Sequence, residues 1–146
     1  MSVINSLLQS TTLGQIMIKP VISVREDDEF HVVQERMSHH GIRHLPVVNE
    51  AGVLVGLLTE RYLYKIHSPR KLEDGSWYYD KVTLDNFILK NVMIKDPFVL
   101  TAESSLAEAM QTMSQQKYGC VVVVDDYHMP CGIVTRNDIL KFLLTK

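Results

Sequence analysis

The chain has 146 residues, 46% of them hydrophobic and 22% charged, with a formal net charge of −2. That length suits one compact domain, large enough to bury roughly two-thirds of its unfolded surface. The balanced charge excludes a broad nucleic-acid-binding surface, and the apolar content excludes disorder. No apolar run approaches the ~20 residues of a membrane span, so no membrane partner is expected. Residues 1–13 have neither a basic start nor a long apolar stretch, which predicts no secretory signal and a cytoplasmic location. Two cysteines, Cys120 and Cys131, make no disulfide framework.

In chain order, residues 5–15 predict a helix, with Ile4, Leu7 and Leu8 packed on the core rather than on a membrane. Residues 21–24 predict a strand. Asp27 or Asp28 then caps a helix that turns Phe30, Val33 and Met37 to one face. Residues 45–48 and 53–58 form β-rich runs around the polar turn Asn49-Glu50-Ala51-Gly52, a hairpin pattern. Thr59 stands where a helix starts. Residues 67–82 contain Pro69, Asp74, Gly75 and Ser76 and predict a loop. The same stretch holds Trp77-Tyr78-Tyr79, either packing the loop down or forming a lid or dimer contact. Thr83 caps a short helix over 84–90. Residues 98–100 predict another strand, and Ser105 with Glu108 predicts a capping box ahead of Leu106, Ala109, Met110 and Met113. Residues 121–124 and 131–134 form a second hairpin around Asp125-Asp126-Tyr127-His128, and Thr135 begins the last helix.

These elements repeat. Leu13 overlays Leu89, a displacement of 76 positions (89 − 13), and the rest of the chain follows without a gap. Met17-Ile18-Lys19 falls on Met93-Ile94-Lys95, Met37-Ser38 on Met113-Ser114, and Val47-Val48 on Val123-Val124. Gly56 falls on Gly132, Thr59 on Thr135, and Lys65 on Lys141. A β-α-β-β-α unit of about 55 residues is used twice. The chain therefore divides into a first copy with an N-terminal segment (1–66), a linker (67–82) and a second copy (83–146).

The repeat resembles a tandem pair of cystathionine β-synthase (CBS) domains, the Bateman module. Leu45-Pro46-Val47-Val48 followed by Gly56-Leu57-Leu58-Thr59 carries the resemblance in the first copy. Residues 121–124 followed by Gly132-Ile133-Val134-Thr135-Arg136-Asn137-Asp138 carry it in the second. Met17-Ile18-Lys19-Pro20 and Val92-Met93-Ile94-Lys95-Asp96-Pro97 resemble the family's lead into its first strand. The resemblance implies a mixed α/β (α+β) fold of two repeats packed sheet to sheet with pseudo-two-fold symmetry. It also implies two clefts between the repeats, able to take adenosine-containing ligands, and sensing rather than catalysis.

A nucleotide needs an apolar slot for adenine, a carboxylate for the ribose hydroxyls, and cations or backbone N–H groups for phosphate. The second copy keeps the family's Gly-x-x-Thr-x-x-Asp pattern as Gly132, Thr135 and Asp138. Read from spacing alone, Thr135 and Asp138 also suit a helix cap. The first copy departs from the pattern, with Tyr62 in place of Asp. The resemblance implies that Thr135, Asn137 and Asp138 face Ile18, Pro20, Val21, Ile22, Ile42, Arg43 and His44. In that set Ile18, Val21, Ile22 and Ile42 would sandwich adenine with Pro46 at the border. Arg43 and His44 would meet phosphate, with Arg136 and Lys19 in reserve. The opposite cleft would collect Thr59, Tyr62, Ile94, Pro97, Phe98, Tyr118, Gly119 and Cys120. It has Lys95 as its cation but no acid for ribose, so one competent and one degenerate site are expected.

Other motifs point nowhere sharper. His39 and His40 are adjacent on a helix end and point about 100° apart, so with His44 they predict no metal site. In a hairpin centred near Tyr127, Cys131 stands opposite Val123 and away from Cys120, which predicts buried free thiols. No nucleophile motif, P-loop or Gly-x-Gly-x-x-Gly is present, so no enzyme and no catalytic cofactor are expected. The expected function is a stand-alone sensor of AMP, ADP, ATP or S-adenosylmethionine, built as a homodimer and signalling to an effector protein. The alternative is a ligand-free structural or oligomerisation module that docks on a partner.

Overall fold

Helix α1 (Val3–Ser10) starts at Ser2, whose Oγ accepts the Asn5 N–H at 3.0 Å. It stops at Thr11, which is extended and whose hydroxyl bonds back to the Leu7 carbonyl at 2.8 Å. A second helix, α2 (Leu13–Ile16), follows after Thr12, whose N–H donates to the Gln15 side chain at 3.0 Å. The single helix expected over 5–15 is thus two, because the Thr pair diverts hydrogen bonds from the helical ladder. The computed structural model describes residues 2–61, 63, 70–71, 73, 77–78, 89–116 and 119–146.

Strand β1 (Val24–Arg25) lies later and is shorter than the run expected over 21–24. Helix α3 (Phe30–His40) has Glu29 at its N-cap rather than Asp27 or Asp28. Asp28 is engaged elsewhere: its carboxylate accepts the Arg25 N–H at 2.8 Å, closing the turn before the helix. The helix buries Phe30, Val33 and Met37, as its spacing predicts, and ends at Gly41 with φ +62°. The Ile42 N–H reaches back to the Met37 carbonyl at 3.0 Å, a Schellman closure that glycine permits.

Strands β2 (His44–Val48) and β3 (Leu54–Thr59) form the first hairpin. In the expected loop, β4 (Arg70–Lys71) pairs antiparallel with β5 (Trp77–Tyr78), so a short ladder replaces part of it. The cap expected at Thr83 and most of the helix after it lie outside the described residues. Helix α4 (Leu89–Val92) leads into β6 (Ile94–Lys95), then β7 (Val99–Leu100) and α5 (Leu106–Gln115). Ser105 contributes its half of the expected capping box, accepting the Glu108 N–H at 3.1 Å. Strands β8 (Cys120–Val124) and β9 (Pro130–Thr135) form the second hairpin, and α6 (Arg136–Leu144) closes the chain.

Two small sheets result, ordered β1-β2-β3-β6 and β7-β8-β9, beside the two-stranded β4-β5 ladder. Both hairpins keep one register. His44 opposes Thr59 as Cys120 opposes Thr135, and Val47 opposes Gly56 as Val123 opposes Gly132. A bulge follows at the same point in each, between Val47/Val48 and Val123/Val124. Cys131 is therefore the extra residue of a bulge and not the partner of Val123, a shift the sequence reading missed. The turns match too. Asn49 Oδ1 accepts the Ala51 and Val53 N–H groups, and Asp125 Oδ1 accepts those of Tyr127 and Met129. Gly52 with φ +85° has His128 with φ +61° as its counterpart.

The cores reveal an exchange. One cluster joins Val24, Phe30, Val33, Met37, Leu45, Val47 and Leu58 to Leu89, Val92 and Met93. The other joins Leu106, Ala109, Met113, Val121, Val123, Val134 and Ile139 to Leu13. Each core is closed by the leading segment of the other copy. The compact units are accordingly Met1–Val21 with Pro97–Lys146, and Ile22–Asp96. The boundaries expected at 66 and 83 follow the sequence repeat, whereas compactness divides the chain after Val21 and after Asp96.

Candidate functional site

Within the first unit, the segment 17–21 lies along β9. The Ile18 N–H donates to the Ile133 carbonyl at 2.9 Å, and the Ile133 N–H returns to the Ile18 carbonyl at 3.2 Å. Two residues beyond, Thr135 caps α6. Its Oγ1 accepts the Asp138 N–H at 3.2 Å, and Asp138 Oδ2 accepts the Thr135 N–H at 2.9 Å. The capping arrangement that the spacing allows is therefore formed. It occupies one carboxylate oxygen; Oδ1 of the half-buried Asp138 meets no donor among the described residues.

Around this turn Ile18 is 52% exposed, Lys19 and Pro20 are exposed and joined by a cis peptide, and Val21 is half-buried. Asn137 is exposed. The Arg136 N–H donates to the Gly119 carbonyl at 3.0 Å, and its side chain crosses the face of that glycine. A Cβ at Gly119 would stand 3.0 Å from Arg136 Nε. The structure thus brings Ile18, Lys19, Pro20 and Val21 into one unit with Thr135, Arg136, Asn137 and Asp138.

The remaining expected residues belong to the second unit. Ile22 and Ile42 pack, partly buried, against its core. Arg43 is exposed, and its carbonyl accepts the Glu60 N–H at 2.9 Å. His44 opens β2 opposite Thr59, and Pro46 is buried opposite Leu57.

Of the residues expected in the opposite cleft, Tyr62 and Tyr118 lie outside the described residues. Thr59, Pro97 and Cys120 are buried, Phe98 is 45% exposed and Lys95 is exposed. Burial pushes the Cys120 thiol up to about 12. Cys131, half-buried at the bulge, is also raised, first by desolvation and then by the nearby Asp125 carboxylate. The His39 and His40 rings meet edge to face with centroids 4.8 Å apart. Among the described residues no three His, Cys, Asp or Glu side chains gather as a metal site.

Two contacts escaped the sequence reading. The Met17 sulfur rests on Gly132, where an added Cβ would also stand 2.7 Å from Met17 Cγ. The Met93 sulfur rests on Gly56 in the same way. The signal was present, since Met17/Met93 and Gly56/Gly132 are both repeat pairs. What was missing was the crossing, each methionine sitting on the glycine of the other copy.

The profile of the CBS domain family matches residues 13–68 and 89–145. The chain belongs to the CBS domain family. Its crossed pairing, Ile18 with Ile133 and Ile94 with Leu57, ties together the two CBS repeats that this profile separates. Among curated relatives, homoserine O-acetyltransferase of Methanococcoides burtonii is 28% identical over 97% of this chain but only 26% of its own length. A CBS domain-containing protein of Dictyostelium discoideum is 28% identical over 89% of each chain. The chain thus spans about a quarter of the one relative and most of the other.

Among solved structures, the CBS domain pair of protein MJ0100, in complex with 5′-methylthioadenosine and S-adenosyl-L-methionine, is similar. It has a TM-score of 0.73 and 26% identity, covering 91% of this chain and 99% of that one. CBSX2 in complex with AMP shares the fold, with a TM-score of 0.75 and 19% identity, covering 93% of this chain and 98% of that one. Among the described residues no helix is long and apolar enough to cross a membrane.

Proposed function

We propose that this CBS pair is a regulatory, non-catalytic module that binds an adenosine-containing ligand. The observation that carries the reading is the pairing of Ile18 with Ile133, two residues before the Thr135–Asp138 turn, where one Asp138 oxygen meets no donor among the described residues and can accept from a ribose hydroxyl. Similar CBS pairs hold AMP, 5′-methylthioadenosine and S-adenosylmethionine, which supports the ligand class. In this reading Ile18, Val21, Ile22 and Ile42 line the adenine slot, with Pro46 behind it. Asp138, steadied by Thr135 and flanked by Asn137, accepts from the ribose. Arg43 and His44 take phosphate, with Lys19 and Arg136 as further cations. Ligand acts through its differential affinity for two arrangements of the protein. A homodimer, a cytoplasmic location and an effector protein that receives the signal complete the proposal.

Thermal unfolding with AMP, ADP, ATP, 5′-methylthioadenosine and S-adenosylmethionine tests it. A ligand at ~100 times its dissociation constant adds about 2.7 kcal/mol of stability. Asp138→Asn keeps an acceptor for the Thr135 N–H but removes the charge, and it abolishes most of that gain. If none of the five compounds raises the melting temperature, the structural or oligomerisation module docking on a partner stands instead.

A further inference from the structure

We propose that Met17 is a modification site for hydroperoxides, and that its oxidation releases segment 17–21 from β9. The Met17 sulfur sits directly on Gly132, the one position of β9 whose missing side chain leaves room for it. The next residue makes the two hydrogen bonds that hold the segment to the strand, between Ile18 and Ile133. Met93 on Gly56 is the same contact in the other copy. The two differ in access: Met93 is 8% exposed, whereas Met17 is only half-buried. Fold symmetry thus provides a reactive methionine and a shielded internal control.

The step balances. The sulfur lone pair attacks the distal oxygen of the hydroperoxide, an S–O bond forms and the O–O bond breaks. The sulfur loses two electrons, the proton of the distal oxygen passes to the departing oxygen, and the peroxide leaves as its alcohol, or as water from hydrogen peroxide. The product is a bulkier, strongly polar sulfoxide. Against Gly132 it finds no side chain that can swing aside. The neighbouring Ile133 N–H is already given to Ile18, so the new oxygen is pressed on a strand whose nearest edge donor is taken. Relief comes by lifting residues 17 and 18 away. The freed segment carries Ile18, Lys19, Pro20 and Val21, so weaker AMP binding follows too; that consequence alone rests on the proposed function.

Hydrogen peroxide is added to the full chain, and peptide mass spectrometry and amide hydrogen exchange are followed together. Met17 is expected to gain one oxygen before Met93. Oxidised molecules then exchange the Ile18 and Ile133 amides at least about tenfold faster, with the Ile94–Leu57 pair unchanged. Met110 and Met129 are half-buried as well, so Met110→Leu and Met129→Leu keep the full response, whereas Met17→Leu loses it. Oxidation of Met93 as fast as Met17 overturns the proposal. So does unchanged protection at Ile18 and Ile133 once Met17 is oxidised, or a full response in Met17→Leu. None of these readouts uses a nucleotide, so failure of the ligand reading leaves them intact.

Discussion

Gly132 and Gly56 show how one missing side chain can decide a contact. Each accepts a methionine from the far copy where any Cβ would displace it. Cys120 makes a different point. It is 1% exposed at the start of β8, and burial holds its thiol at about 12 against an ordinary value of 9.0. Between those values the unfolded chain has lost the proton and the folded chain still holds it. Stability is therefore fully present below pH 9 and falls as pH rises towards 12, by roughly 1.4 kcal/mol per pH unit from this group. Denaturant midpoints measured at pH 8, 9, 10 and 11 are expected to fall in the wild type. The fall is shallower in Cys120→Ala, although that variant starts lower. Burial of this thiol could be read from the apolar run around it, and the size of its shift could not.

At the scale of elements, the helices show which local signals decide. Spacing alone put Phe30, Val33 and Met37 on one face of α3, all buried, and Leu106, Ala109, Met110 and Met113 on one face of α5, where Met110 is only half-buried. The caps were less legible. Ser105 caps α5 with its side chain, whereas the Glu29 side chain makes no capping bond at the start of α3, where Asp28 closes the preceding turn. Ser105→Ala is thus expected to cost about 1 kcal/mol, and Glu29→Ala no more than a few tenths, in urea unfolding. Equal losses would place the two N-termini on the same footing. The break at Thr11 and the bulge at Cys131 went unread for one reason. Each depends on a side chain or turn choosing a backbone partner, and hydrophobic period does not record that choice.

At the scale of the molecule, the cores depend on segments remote in sequence. Leu13 is 0% exposed among residues of the second copy, and Leu89 is 0% exposed among residues of the first. Leu13→Ala and Leu89→Ala are expected to cost alike, about 2–5 kcal/mol each, by chemical denaturation. A loss below 1 kcal/mol for Leu13→Ala would mean that the N-terminal segment is peripheral to the second core.

What the sequence determined by itself is the repeated unit, its strands and helical faces, the two turns and the chemistry available at Thr135 and Asp138. These follow from spacings of two to four residues, or from one displacement repeated without a gap. What only the tertiary structure decided is which copy each leading segment covers. Met17 reaches Gly132 and Met93 reaches Gly56 across long stretches of chain. Apolar side chains would bury equally well in either core, since the hydrophobic effect has no direction. The choice was made by shape, by a glycine that leaves room for a sulfur and a strand edge that offers two hydrogen bonds.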